Sequence, residues 1–205
     1  IELSGVTLAN WAAKTGNMLR DELGAGPGNR VAILLPAHWQ TAAVLFGVWW
    51  IGAEAVLTGQ GDPASDIALC TAERLDEADG AVSAAASGGE VAVLSLDPFG
   101  RPAPDLPIGV TDYATAVRVH GDQIVPEARP GPALGGRSVE EVLADCQTSA
   151  AARGLTSTDR VLSGAPWSRP DELVDHLLAI MAVGASLVQV DRKSTRLNSS
   201  HGIIS

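Results

Sequence analysis

Lysine is nearly missing from this chain. Lys14 and Lys193 are the only two in 205 residues, against 24 acidic side chains and a net charge of −10. Proteins that hold nucleic acid or anionic lipid do so through cationic contacts to phosphate, so an acidic chain of this kind is a poor candidate for either partner. Cysteine is equally scarce. Cys70 and Cys146 stand far apart in no metal-ligand spacing, which points to reduced structural thiols in a cytoplasmic protein rather than a disulfide framework or a zinc site. No serine sits in G-x-S-x-G and no histidine pair in H-x-x-x-H, so the hydrolase elbow and the helical zinc motif are both absent. The long apolar run from Trp39 to Ile51 falls short of the roughly twenty residues that a bilayer span requires. No secretory leader is recognisable, and Ile1 is not an initiator residue, so the natural start is expected upstream.

What is present is 46% hydrophobic, a composition that suits one α/β domain or two small ones. The chain is organised around the stretch Arg30 to Ala53. Gly26-Pro27-Gly28-Asn29 reads as a turn, because Pro fixes φ and the glycines reach φ values that other residues avoid. Val31-Ala32-Ile33-Leu34-Leu35, closed by Pro36, fits a strand buried on both faces. The Trp39–Ile51 run predicts a helix packed on most sides, and Ala55-Val56-Leu57-Thr58 a second strand. The unit is therefore β-α-β, and by the crossover rule right-handed.

Around this unit the chain alternates strands and helices without internal repeats. Ile1-Glu2-Leu3 reads as an edge strand. Thr7 is placed to cap a helix carrying Leu8, Trp11, Ala12, Thr15, Met18, Leu19 and Leu23 inward and Lys14, Asn17, Arg20 and Asp21 outward, ending at Gly24. After a break at Asp62-Pro63, Ile67–Cys70 reads as a strand, Ala72–Glu77 as a short helix and Val91–Leu96 as a buried strand. Ala81–Gly89 suits strand or loop, and Pro98–Pro107 cannot be helix interior. Tyr113–Val119 suits helix or strand, and Pro126–Gly136 is a loop. Ser138 and Glu141 form a capping box opening a helix with Val139, Val142, Leu143, Cys146 and Ala150 inward. Val161–Ser163, a helix over Asp171–Val183 with Leu173, Val174, Leu177, Leu178 and Met181 inward, and a strand over Ala185–Val190 complete the pattern. The fold class is α/β, with a layered, mostly parallel sheet flanked by helices.

Residues 191–205 stand apart. Asp191 to His201 back-translates without strain to a common sequencing-library adapter, with Gly202-Ile203 as the variable index and Ile204-Ser205 resuming the constant part. The plainer reading is a flexible basic tail. On the adapter reading the native domain covers 1–190 and the protein continues beyond it. Removing Asp191 and the cations Arg192, Lys193 and Arg196 takes the net charge from −10 to −12 and leaves Lys14 as the sole lysine.

The order of these segments resembles a known family. The helix over Leu8–Leu23, then Gly26-Pro27-Gly28-Asn29-Arg30-Val31-Ala32-Ile33-Leu34-Leu35-Pro36, then Trp50-Ile51-Gly52-Ala53, is similar to the amino-terminal part of the AMP-forming acyl-CoA synthetases and their adenylate-forming relatives. Leu155 to Leu162, including Thr158-Asp159-Arg160-Val161-Leu162, and Met181-Ala182-Val183-Gly184-Ala185-Ser186-Leu187-Val188 resemble that family's segment after its phosphate loop. The match spans most of 1–190 and is weak between Asp62 and Ala128. It implies the truncated amino-terminal half of a large α/β domain. In an intact relative it implies activation of a carboxylate by ATP to an acyl-adenylate with Mg²⁺, then thioester formation with CoA. The ligands implied here are ATP or AMP, Mg²⁺ and an acyl carboxylate.

Between the two blocks the family carries a Gly/Ser/Thr-rich loop with a lysine. Here the place holds Gly131-Pro132-Ala133-Leu134-Gly135-Gly136-Arg137-Ser138, with no Thr-Ser-Gly-Thr-Thr-Gly run and no lysine, so donors aimed at phosphate oxygens are lost. Arg169 stands where a histidine often follows Pro-x-x. The stretch also matches G-x-x-x-x-G-K-[ST] with Arg137 in the lysine position, although Pro126–Pro130 argues against the strand that must precede a P-loop. Gly131, Gly135, Gly136, Arg137 and Ser138 are the candidate anion- or nucleotide-binding residues; the plainer reading is a Gly-rich connector and a helix cap. No catalytic residue and no metal ligand is assigned. His38, His120 and His176 read as surface or satisfied histidines, Glu140-Glu141 and Asp76-Glu77-Asp79 as solvated helix faces, and Trp49-Trp50 as core rather than acyl pocket or partner surface. The expected function is an acyl-CoA synthetase-like protein, degenerate and inactive in this form. The rivals are a non-catalytic nucleotide- or acyl-binding protein and an interaction module, the last favoured only if the Trp39–Ile51 helix were exposed.

Overall fold

The computed structural model describes residues 1–57, 64–83, 85 and 88–190. Thr58, the Asp62-Pro63 break, part of Ala81–Gly89 and all of 191–205 lie outside them. The chain divides into two compact units, Ile1–Val139 and Glu140–Ser205.

The first unit is a sheet of five parallel strands in the order β2-β1-β3-β4-β5. β1 is Arg30–Leu34, β2 Glu54–Leu57, β3 Ile67–Cys70, β4 Glu90–Val93 and β5 Thr111–Asp112. The expected β-α-β unit is present: β1 pairs with β2 in parallel, Arg30 opposite Glu54, with α2 (Trp39–Trp50) between them. On one sheet face Ala32, Leu34, Ala68, Cys70, Val91 and Val93 pack with Ala78 and Val82 of α3 (Leu75–Val82). The alternate residues Val31, Ile33, Ile67 and Leu69 are buried as well. Burial of both faces is why these strands read as unbroken apolar runs.

α1 (Gly5–Asp21) crosses α2 at two glycines. A Cβ on Gly47 would lie 2.9 Å from the Ala12 carbonyl oxygen and 2.9 Å from the Gly16 amide nitrogen. Such an approach leaves no room for a side chain. Trp11 and Trp39 meet edge to face at 5.5 Å between centroids. The cap of α1 is Ser4, whose Oγ accepts from the Thr7 amide at 3.1 Å, and not Thr7. Ile1–Leu3 forms no strand. Gly24, at φ +69°, follows the helix end as expected.

Asn17 corrects the outward-face reading of α1. It is buried, and its Nδ2 donates to the carbonyls of Gly121 and Gln123 at 2.9 and 3.0 Å. Lys14 Nζ donates to the His120 carbonyl at 2.7 Å, and His120 Nε2 lies 2.6 Å from Glu22 Oε1. These bonds fasten the segment around residues 120–124 to α1. Asn17→Ala strips two carbonyls of their donor and is expected to destabilise the protein by about 2 kcal/mol in urea denaturation, the cost of orphaned acceptors. Tyr113, at the start of α4 (Tyr113–Ala116), is buried with its hydroxyl 2.7 Å from Thr15 Oγ1. Because Thr15 donates to the Trp11 carbonyl, the tyrosine is the donor of that pair.

In the second unit, β6 (Arg160–Ser163) and β7 (Ser186–Gln189) pair in parallel as a separate two-stranded sheet. The described strands therefore form two sheets rather than one. α5 (Val139–Ala152) begins directly after Ser138 and buries Val142, Cys146 and Ala150. Leu143, expected inward, is 49% exposed. Buried residues at 142, 146 and 150 define a stripe one residue wide, and 143 falls beside it. The helix expected over Asp171–Val183 is α6 (Pro170–Leu173), a π-helical turn (Val174–Leu178) and α7 (Ala179–Ala182) in succession. Leu173, Val174, Leu177 and Leu178 are buried as expected, and Met181 is half-buried.

Candidate functional site

The five candidate residues lie on one strap along the β2 edge of the first sheet. Glu127 N donates to the Trp50 carbonyl at 2.7 Å, Gly131 N to the Gly52 carbonyl at 2.9 Å, and Ala55 N to the Ala133 carbonyl at 2.9 Å. The Trp49 indole N–H reaches the same Ala133 carbonyl at 2.8 Å. Gly131 is a close-approach glycine: a Cβ there would sit 3.0 Å from the Gly28 amide and 3.3 Å from the Gly52 carbonyl.

Leu134-Gly135-Gly136-Arg137 is a tight reversal. Arg137 N donates to the Leu134 carbonyl at 3.2 Å, and Ala133 N to the Arg137 carbonyl at 2.7 Å. Gly135 and Gly136 have φ of +60° and +75°. Positive φ at both central residues marks the primed turn of a two-residue hairpin, which explains the glycine pair by backbone geometry. The Gly136 amide donates to Glu54 Oε1 at 2.7 Å, and Arg30 Nε lies 3.5 Å from Glu54 Oε2. Arg137 and Ser138 are half-buried, and neither lacks a partner.

The Gly136 amide and the Glu54 carboxylate thus satisfy each other at this turn. The amide that would meet a phosphate already serves a carboxylate, and that carboxylate would repel the incoming anion. Arg30 and Glu54 are also the first residues of their strands, so the strap lies at the amino end of the sheet. Open parallel sheets bind ligands outside the carboxyl ends, where the strand order reverses. Here that point lies between β1 and β3, beside Pro36–His38 and Thr71.

His38 caps α2 there, its Nδ1 accepting from the Gln40 amide at 3.3 Å. That bond leaves the proton of the neutral ring on Nε2. Burial pushes the His38 pKa below the usual histidine value. In the second unit, Ser163 Oγ lies 3.1 Å from His176 Nδ1 and accepts from the Ala165 amide at 3.2 Å. Each of His38, His120 and His176 thus has one ring nitrogen partnered locally. Trp49 and Trp50 are half-buried, and most of α2 is buried. Among the described residues, no group of three or more His, Cys, Asp or Glu side chains could hold a metal ion, and no helix is long and apolar enough to cross a membrane.

The architecture is that of the amino-terminal portion of acyl-CoA synthetases. The acyl-CoA synthetase of Brucella canis superposes with a TM-score of 0.76 at 19% identity, over 100% of this chain and 41% of its own. ATP-bound MatB from Rhodopseudomonas palustris superposes at 0.71 with 17% identity, over 98% of this chain and 43% of its own. The chain thus spans about two-fifths of these solved structures. No family model matches it. A TIGR03089 family protein of Mycobacterium tuberculosis is 77% identical over 190 residues, 93% of this chain and 77% of the relative. The chain belongs to the TIGR03089 family.

Proposed function

We propose that this chain is the amino-terminal portion of an acyl-CoA synthetase-like protein that has kept the scaffold and lost adenylate formation by the usual loop. The observation carrying this reading is the Gly136 amide bonded to Glu54 inside a two-residue turn. Catalysis of phosphoryl and adenylyl chemistry depends on donors held ready for developing negative charge. A loop whose Gly136 amide is given to a fixed carboxylate, and which has no lysine, is short of such donors. The test is ATP–pyrophosphate exchange with a panel of carboxylic acids, using the full-length M. tuberculosis relative beside this chain. Exchange at the level of the protein-free control is the expected result. Acid-dependent exchange well above that level overturns the proposal.

A non-catalytic nucleotide- or acyl-binding protein is the second reading, favoured by the strand order. The strand order reverses between β1 and β3, and doubly wound sheets hold nucleotides at the carboxyl ends beside such a reversal; this is a fold-level analogy. His38 would present Nε2–H to an acceptor there. Saturable binding of ATP or of an acyl-adenylate analogue without exchange, weakened by His38→Ala, supports it. The interaction-module reading loses its condition, since α2 is mostly buried.

A further inference from the structure

The segment that Asn17 and Lys14 fasten to α1 does not lie flush against it. An open cleft of about 360 Å³ remains between Ala9, Asn10 and Ala13 of α1, Trp50 at the end of α2, and Asp122–Ile124. That volume is within the range of small-ligand sites.

The division of labour among the polar groups is informative. Lys14, Asn17 and His120 are spent on holding the wall. The side chains that line the cleft are not: among the described residues, Asn10, Asp122 and Gln123 make no side-chain hydrogen bond or ion pair. The backbone of the wall is therefore fixed, while the side chains of Asn10, Asp122 and Gln123 are exposed and available. The apolar lining is one aromatic ring, two alanine methyls and Ile124. Its one charged group is a carboxylate, in a chain of net charge −10.

A carboxylate and an indole ring that line one cleft both favour positive charge. The ring quadrupole and the anion act in the same sense, and the net charge of the chain raises the local concentration of cations. We propose that this cleft binds an organic cation carried on a short apolar stem, an alkylguanidinium or alkylammonium group. The stem lies along Ala9, Ala13 and Ile124, the cation meets Trp50 and Asp122, and the side-chain carbonyls of Asn10 and Gln123 accept the remaining N–H groups. This inference is independent of the nucleotide and acyl readings.

The test is an NMR titration of the full chain with n-propylguanidinium, using neutral n-propylurea of the same shape as the control. The Trp50 indole N–H is assigned by Trp50→Phe. Saturable shifts of that indole and of the Gln123 side-chain amide are expected, with about tenfold tighter binding of the cation than of the urea, as one exposed ion pair plus one cation–π contact implies. Asp122→Asn keeps the shape of the cleft and removes the preference. Equal binding of cation and urea, absence of saturation, or an unchanged preference in Asp122→Asn overturns the proposal. Blocked arginine, N-acetyl-arginine methylamide, separates the sources. Tighter binding than propylguanidinium identifies a side chain of a partner protein as the cation, and weaker binding identifies a free small molecule.

Discussion

Gly47→Val is expected to destabilise the first unit by at least about 3 kcal/mol, the upper end of the cost of overpacking a tight contact. The new Cβ would fall 2.9 Å from the Ala12 carbonyl oxygen and 2.9 Å from the Gly16 amide nitrogen, with Thr15 Cβ at 3.1 Å. Two of the three obstacles are backbone of a neighbouring helix, so no rotamer change relieves them; the helices must separate. Gly80 in α3 is the matched control, because nothing lies within 4 Å of its Cβ position. Gly80→Ala is expected to stabilise by roughly 0.5–1 kcal/mol by restricting the unfolded chain. Urea midpoints followed by far-UV circular dichroism measure both. A Gly47→Val protein within about 0.5 kcal/mol of the parent, the usual range of innocuous surface changes, would mean that the helices do not meet through these glycines.

Stability should fall steeply above pH 9, for a reason that two buried groups share. Burial pushes the Cys70 thiol up from 9.0 to about 11. Burial likewise raises the Tyr113 hydroxyl from 10.0 to about 12, against the opposing effect of its bond to Thr15. Both groups are neutral when protonated, so a raised folded pKa means that the folded state holds its proton longer than the unfolded state. Above the unfolded value the unfolded chain binds fewer protons, and stability declines with pH until the folded value is passed. The window runs from about 9 to 11 for Cys70 and from about 10 to 12 for Tyr113. Each displacement corresponds to about 2–3 kcal/mol at its upper limit. Urea denaturation at a series of pH values tests this. Cys70→Ala is expected to flatten the decline between 9 and 11, and Tyr113→Phe the decline above 10. Curves superimposable on the parent's in both variants would show that other groups govern alkaline unfolding.

The parts of the fold that were legible in the sequence are those fixed by local hydrophobic pattern. The β1-α2-β2 unit reads directly because strands buried on both faces are continuous apolar runs and the intervening helix is apolar on most sides. Asn17 was not legible. Its side chain meets carbonyls more than a hundred positions away, and a polar residue among polar neighbours on a helix carries no sign of such a partner. Ser4 and Thr7 are equivalent capping residues by type, and only backbone geometry separates them. At the candidate site the sequence shows two adjacent glycines but not what they are for. The same pair serves a phosphate-binding loop or a two-residue hairpin. What distinguishes them is the position of Glu54, which is distant in sequence and adjacent through the β2 edge. The strand-order reversal beside His38 is likewise a property of topology, invisible to periodicity.

The strand order 2-1-3-4-5 has a consequence for how the chain is made. Once β1 and β2 have paired, each later strand joins the sheet at its free side, β3 on β1, then β4 on β3, then β5 on β4. No strand has to be inserted between two already in place, so the sheet can grow as the polypeptide leaves the ribosome, in keeping with the amino-terminal-first folding of nascent chains. The opposite side waits. On that side the Ala55 amide of β2 bonds to the strap at Ala133, and that strap is synthesised some eighty residues after β2. Throughout that interval β2 presents unsatisfied peptide groups, which makes it the place where a nascent or truncated chain is most exposed to pairing with another molecule.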